Sequence, residues 1–128
     1  MSSSKSRSLY AACTRDYYSR AIDRIRSEFP AAVFYAFSDD PRWVREVLAP
    51  QVGSMRVIDH NRGPDSHFDM QLMSACKHHI IANSSFSWWG AWLNPDVTKM
   101  VVAPGRWYSV DSGLECDDLI PTGWIRIL

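Results

Sequence analysis

Two short stretches combine residue types and spacing that could hold a phosphorylated ligand. The first is Asn83-Ser84-Ser85-Phe86-Ser87-Trp88-Trp89-Gly90, with the hydroxyls of Ser84, Ser85 and Ser87 crowded together. If this stretch opens a helix, its leading amide N–H groups lack partners within the helix and sit at the positive end of its dipole. That combination suits an anion, and the added hydroxyl donors make phosphate the natural ligand. The same pattern also describes an ordinary N-cap at Ser84 or Ser85, followed by core residues Trp88, Trp89 and Trp92. Caps and cores of this kind are common, so both readings stand at this point. In either case Trp88 with Trp92, and Trp89 with Leu93, lie four residues apart and are expected to face inward.

The second stretch is Phe37-Ser38-Asp39-Asp40. Carboxylates at a strand end can accept hydrogen bonds from ribose hydroxyls, or from the N1–H and amino group of guanine. They can equally cap the helix that follows. Adjacent Asp-Asp is not the Asp-x-Asp spacing that holds a divalent metal on a nucleotide sugar, so no metal is expected. His78 and His79 precede a strand without acidic or thiol partners at ligand spacing, and are expected to be surface or hydrogen-bonded histidines. Cys13, Cys76 and Cys116 form neither a CxxC pair nor a His/Cys array, which indicates no zinc site and no disulfide framework. Asn83-Ser84-Ser85 matches a glycosylation sequon, but a strand-to-helix turn is a poor acceptor. Neither GxGxxG nor the P-loop signature occurs, which disfavours ordinary dinucleotide and nucleoside-triphosphatase readings.

The elements that must position these turns follow from hydrophobic periodicity. Cys13, Tyr17, Tyr18, Ala21, Ile22, Ile25 and Phe29 recur at helical steps, predicting a helix over 9–29 closed by Pro30. Residues 32–38 form a short apolar run that reads as a strand buried on both faces. Asp40 suits an N-cap and Pro41 the first helical position, so a helix over 41–48 is expected, ending before Pro50. The pattern continues with a strand at 55–58, a loop at 61–65, a helix at 66–76, a strand at 79–82, a helix at 84–93 and a strand at 100–103. The tail from 104 is loop-rich, with a last strand at 124–128. Apolar strands alternating with helices indicate an α/β fold of Rossmann-like type, a parallel sheet with helices on both faces. In such sheets ligands bind at the carboxyl ends of the strands, where both stretches fall.

Composition narrows the class. The chain has 128 residues, 46% hydrophobic and 22% charged, which fits one globular domain. Residues 1–8 are polar and low in complexity, and are expected to be a disordered tail before a domain over 9–128. Formal net charge is zero, against a nucleic-acid binder that works by neutralising phosphates. The basic cluster Lys5, Arg7, Arg15, Arg20, Arg24 and Arg26 reads as a solvated helix face, and the last stretch is acidic. No apolar run reaches the roughly 20 residues that span a bilayer, and the start lacks the form of a signal peptide. A cytoplasmic site or a peripheral position at a membrane is expected.

Together these residues resemble a known family. The run from Cys76-Lys77-His78-His79-Ile80-Ile81-Ala82 through the serine-tryptophan turn to Ala91-Trp92-Leu93-Asn94 is similar to the signature of the alpha-1,2-fucosyltransferases of glycosyltransferase family 11. Phe37-Ser38-Asp39-Asp40 with Trp43, Tyr17-Tyr18 with Ala21-Ile22, and Ala103-Pro104 with Trp107 match flanking segments in the same order. The resemblance implies the C-terminal half of a GT-B enzyme that moves fucose from GDP-fucose to the 2-hydroxyl of a galactose-containing acceptor glycan. Transfer would invert the sugar and use no metal or other cofactor. Asp39 and Asp40 would lie near the guanosine, and Ser84, Ser85, Phe86 and Ser87 would line the diphosphate. An intact family member would be membrane-associated.

The family's His-x-Arg-Arg-Gly-Asp-Tyr motif is not matched, since Cys13-Thr14-Arg15-Asp16-Tyr17 lacks its His, its Gly and its spacing. The strand bearing that motif and the acceptor half are expected to be missing, and no general base is assigned. A fragment with little activity alone is therefore one reading. The other is a GDP-sugar-binding or interaction module that keeps the fold without catalysis. Loss of a strand would leave an open sheet edge, so self-association is expected.

Overall fold

Thr14 opens the first helix, α1 (Arg15–Glu28), by accepting the Tyr17 amide on its side chain at 3.2 Å. Tyr17, Ala21, Ile22 and Ile25 form its buried stripe at helical spacing. The helix ends at Phe29, whose amide donates to Ile25 O, directly before Pro30. The computed structural model describes residues 14–38, 40–53, 55–58, 66–105 and 120–127. The expected tail, the start of the expected first helix and the loop at 61–65 lie outside them.

Strand β1 (Phe34–Phe37) leads to a helical stretch in three pieces: α2 (Pro41–Trp43), a π-helical turn (Val44–Leu48) and α3 (Ala49–Val52). The helix was expected to stop before Pro50, yet it runs through that residue. The reason is the π turn: Ala49 N–H donates to Val44 O, one residue further back than in an α-helix. This widening accommodates a proline that has no N–H to give and needs room for its ring. Gly53, at φ 74°, then ends α3 in the left-handed region.

β2 (Met55–Ile58), α4 (Ser66–Ser74), β3 (His79–Ile80), α5 (Ser85–Trp92), β4 (Val101–Pro104) and β5 (Ile125–Ile127) complete the described elements. α4 stops short of the expected 76. Ala75 N–H is shared between Gln71 O and Leu72 O, and Cys76 N–H closes a tighter turn onto Met73 O.

The fold is mixed α/β, and every described strand pair is parallel. β1 pairs with β2 from Phe34↔Met55 to Phe37↔Ile58, while β4 lies between β3 and β5. This agrees with a Rossmann-like arrangement, except that the single expected sheet is divided in two. β1 and β3 do not pair; both line a cavity of about 850 Å³.

β4 is buried along its whole length. Its Val101 and Ala103 cluster with Met73 of α4 and Ala91 of α5, and the intervening Val102 clusters with Tyr17, Ala21 and Ile25 of α1. β1 was expected to be buried on both faces, but Tyr35 is 49% exposed, and its register partner Arg56 is exposed as well. Only one face of the β1–β2 pair is well covered.

The tryptophans also depart from expectation. The buried line of α5 is Gly90 and Ala91, continuing to buried Asn94 beyond the helix. A Cβ on Gly90 would sit 2.5 Å from Met73 Sδ, so α4 crosses too closely for a large residue there. The big side chains are displaced to the flanks. Trp88 packs against the core and stacks on Trp92 with centroids 5.2 Å apart. Trp89, Trp92 and Leu93 are about half exposed rather than inward.

Candidate functional site

The turn before α5 folds as it does because Ser84 caps the helix. Its extended backbone places Oγ to accept the Ser87 amide at 3.1 Å, and the same hydroxyl lies 2.9 Å from Ser87 Oγ. Trp88 N–H donates to Ser84 O and begins the intrahelical ladder. Of the leading amides, those of Ser85 and Phe86 have no acceptor among the described residues. Ser85 is exposed, Phe86 is partly buried against the core, and Ser87 is half-buried and lines the cavity. The helix start thus offers two free N–H donors and an exposed hydroxyl at the end of the dipole that attracts anions.

The other turn is tied down in a similar way. Asp40 caps α2 by accepting the Trp43 amide on Oδ1 at 3.2 Å, and its own amide donates to Ser38 Oγ at 2.9 Å. One carboxylate oxygen of Asp40 is therefore committed to the cap. Asp39 lies outside the described residues.

Ser38 and Ser87 line the same cavity, so the end of β1 and the start of α5 meet at one place. Ser84, Ser85, Phe86 and Asp40 are not among the residues that line it. Ser38 is the residue that site prediction passed over. Its signal was its place as the last residue after the apolar strand, one step ahead of the aspartate pair.

Behind α5 lies a polar cluster that sequence reasoning reached only in part. Asn94 Nδ2 donates to Cys76 O at 2.7 Å and faces His79 Nε2 at 2.9 Å, while His78 Nδ1 accepts the Met100 amide. Both histidines are hydrogen-bonded, as expected. Burial above all, and then the charges of Lys99 and His78, lowers His79 to about 4. It is neutral at physiological pH and has Nε2 as acceptor. Lys99 Nζ donates to Ala91 O and Asn94 O, both at 2.7 Å, and so closes the carboxyl end of α5. Burial lowers its pKa, partly offset by Asp96. This cluster braces the carboxyl end of the helix, and Cys76, His78 and His79 also line the cavity.

Comparison with known proteins shows what the chain is similar to. The family model described as glycosyl transferase family 11 matches residues 1–127. An alpha-1,2-colitosyltransferase of Escherichia coli is 37% identical over 119 residues, 93% of this chain and 41% of that protein. The O-antigen biosynthesis glycosyltransferase WbnK of Escherichia coli is 40% identical over 112 residues, 88% of this chain and 36% of that protein. The galactoside 2-alpha-L-fucosyltransferase Sec1 of Mus musculus is 29% identical over 79 residues, 62% of this chain and 22% of that protein. The chain therefore spans well under half the length of these relatives. No solved structure matches it. No helix among the described residues is long and apolar enough to cross a membrane.

Proposed function

This chain belongs to glycosyl transferase family 11, and from that premise we propose that it forms the donor-binding half of a GT-B alpha-1,2-fucosyltransferase. The donor is GDP-fucose and the acceptor is the 2-hydroxyl of a galactoside. The reaction is a single inverting displacement: the acceptor oxygen bonds to C1 of the sugar, the C1–O bond to GDP breaks, and the acceptor proton passes to a base. Negative charge collects on the departing diphosphate. The amides of Ser85 and Phe86, with the hydroxyls of Ser85 and Ser87, are placed to stabilise that charge without a metal. Asp39 and the uncommitted oxygen of Asp40 take the guanosine.

The observation that carries this reading is the pair of free amides at the start of α5. It lies beside the end of β1, where an open parallel sheet binds its ligands. His79 is not assigned as the base, since it is buried and its Nε2 faces Asn94. Titration calorimetry with GDP, UDP and ADP tests the proposal. GDP should bind in preference to the other two, and Ser85→Ala should weaken it. Equal affinity for all three, or none, would refute it.

A second reading concerns the sugar alone. The Escherichia coli relative matched over 93% of the chain is named a colitosyltransferase, which favours a colitosyl donor at the same diphosphate seat. Competition between GDP-fucose and a colitosyl donor for the GDP site separates the two.

A further inference from the structure

We infer that Tyr18 is a positioning residue for the nucleotide: it sets the separation between the Asp40 turn and the Ser84 turn, so that one GDP molecule reaches both. This rests on the reading of these turns as seats for guanosine and diphosphate, and concerns what holds the seats at the right distance.

Consecutive residues of α1 tie the two sides together. Tyr17 donates its hydroxyl to Ile81 O at 2.6 Å, shortly ahead of Ser84. Tyr18 lies against the Trp43 ring, with centroids 5.9 Å apart and planes at 59°. Ser19 Oγ donates to Gln51 Oε1 at 2.6 Å, and Gln51 Nε2 donates to Val47 O at 3.1 Å. Tyr17 thus reaches the residue that leads from β3 toward Ser84, while Tyr18 and Ser19 reach the 41–52 helical stretch that Asp40 caps. Tyr17 and Tyr18 also meet edge to face, with centroids 5.1 Å apart. Both ring pairs fall within the range of favourable aromatic contact, about 4.5–7 Å.

The separation needs such a bracket. Among the described residues β1 and β3 do not pair, so no ladder between them joins the two turns. Ser19 and Gln51 pin the helical stretch near its carboxyl end, opposite Asp40. Trp43 lies at the amino end, and its amide donates to Asp40 Oδ1 at 3.2 Å. Tyr18 therefore fixes the end that carries the carboxylate. At about 1.5 Å per residue the stretch is roughly 18 Å long. A tilt of roughly 5° about Gln51 would displace the Asp40 end by about 1.5 Å, more than a hydrogen bond tolerates. A ligand of two linked parts is sensitive to that error, because both seats must be met at once. Its separate parts are not, since each settles in its own seat. The stretch does not depend on Tyr18 to fold: its Val44 and Leu48 are buried, and α4 packs against both β1 and α5.

The test compares GDP with guanosine and pyrophosphate as separate ligands, on the full chain, by nuclear magnetic resonance titration. Tyr18→Ala should weaken GDP about ten-fold, as linked parts no longer meet both seats. Guanosine and pyrophosphate should each change by less than about two-fold. Tyr18→Phe, which keeps the ring, should restore wild-type affinity for GDP. Trp43→Leu removes the opposite ring but keeps the amide on Asp40, so it should reproduce the selective loss. The double variant should lose no more than either single one, because both remove the same contact. Circular dichroism and melting curves identify the folded variants, and Trp43→Leu carries the test where Tyr18→Ala does not fold. Equal weakening of GDP and guanosine would overturn the inference, since Tyr18 would then serve the fold and not the spacing. Unchanged GDP affinity in Tyr18→Ala, or Tyr18→Phe as weak as alanine, would overturn it as well. A wild-type chain with no affinity for GDP is a different failure: it would remove the seats, and this inference with them.

Discussion

The hydroxyl of Tyr17 lies 2.6 Å from the carbonyl oxygen of Ile81, and its longer contact, at 3.2 Å, is to Val102 O. One side chain of α1 is thereby fixed to the residue that follows β3 and to the middle of β4, next to the turn that leads to α5. Tyr17 and Ile81 are both buried, so water cannot replace the donor. Tyr17→Phe keeps the ring and leaves the Ile81 carbonyl without its partner. It should lower stability by about 1–3 kcal/mol, measured as a lower urea midpoint at unchanged slope. An unchanged midpoint would mean that the carbonyl finds another donor.

His79 makes stability depend on pH in a definite direction. Its pKa falls from the ordinary 6.5 to about 4 on folding. Between those values the unfolded chain binds the extra proton and the folded chain does not. Stability from this residue is therefore complete above about pH 6.5 and is lost as pH falls toward 4. Protonation would also turn Nε2 into a donor facing Asn94 Nδ2, itself a donor. His79→Gln should flatten the fall in urea midpoint between pH 6.5 and 4. The same slope in wild type and variant would place the titration elsewhere.

Gly90 and Met73 should behave as a coupled pair. Alanine is favoured over glycine in a helix by about 1 kcal/mol, but here its methyl would meet Met73 Sδ at 2.5 Å and Cγ at 3.0 Å. Gly90→Ala is expected to destabilise by about 1–3 kcal/mol through overpacking. Met73→Ala, which empties a buried position, should cost about 2–5 kcal/mol. The double variant should lose clearly less than the sum, because the new methyl occupies space that Met73 has left. Additive losses in chemical denaturation would show that the two sites do not touch.

The same pair shows where the sequence was legible and where it was not. Short apolar segments between helical patterns located the strands at 55–58, 79–82 and 100–103 to within two residues, because local burial alone produces such patterns. The Asp40 cap was also foreseen, and Ser84 was one of the two caps offered, since capping depends on neighbours within three residues. Trp89 and Trp92 were misplaced because a tryptophan's size argues for burial, whereas the close crossing of α4 reserves the inward line for Gly90 and Ala91. No local signal reports that crossing. Pro50 ended the expected helix because propensity assumes α geometry; the π turn that admits it is set by the whole 41–52 stretch. The split of the sheet was likewise invisible, since strand pairing is a long-range property. At the site, residue types pointed to the two turns, but which hydroxyls and carboxylate oxygens were already used as caps required coordinates.

Asp40 offers a way to separate capping from ligand binding, two roles that alanine would remove together. Asparagine caps a helix about as well as aspartate, so Asp40→Asn should leave Oδ1 on the Trp43 amide and change the thermal midpoint little. It does, however, remove the negative charge and replace one acceptor oxygen with a donor, which cannot pair with the N1–H and amino group of guanine. GDP should therefore weaken by about ten-fold or more, consistent with a lost charge-assisted hydrogen bond. Asp40→Ala should lose the cap as well, at about 1 kcal/mol of stability. Calorimetry on both variants, with melting curves alongside, distinguishes the outcomes. If Asp40→Asn binds GDP as wild type does, the residue is a cap alone, and the guanosine contact passes to Asp39 or to neither.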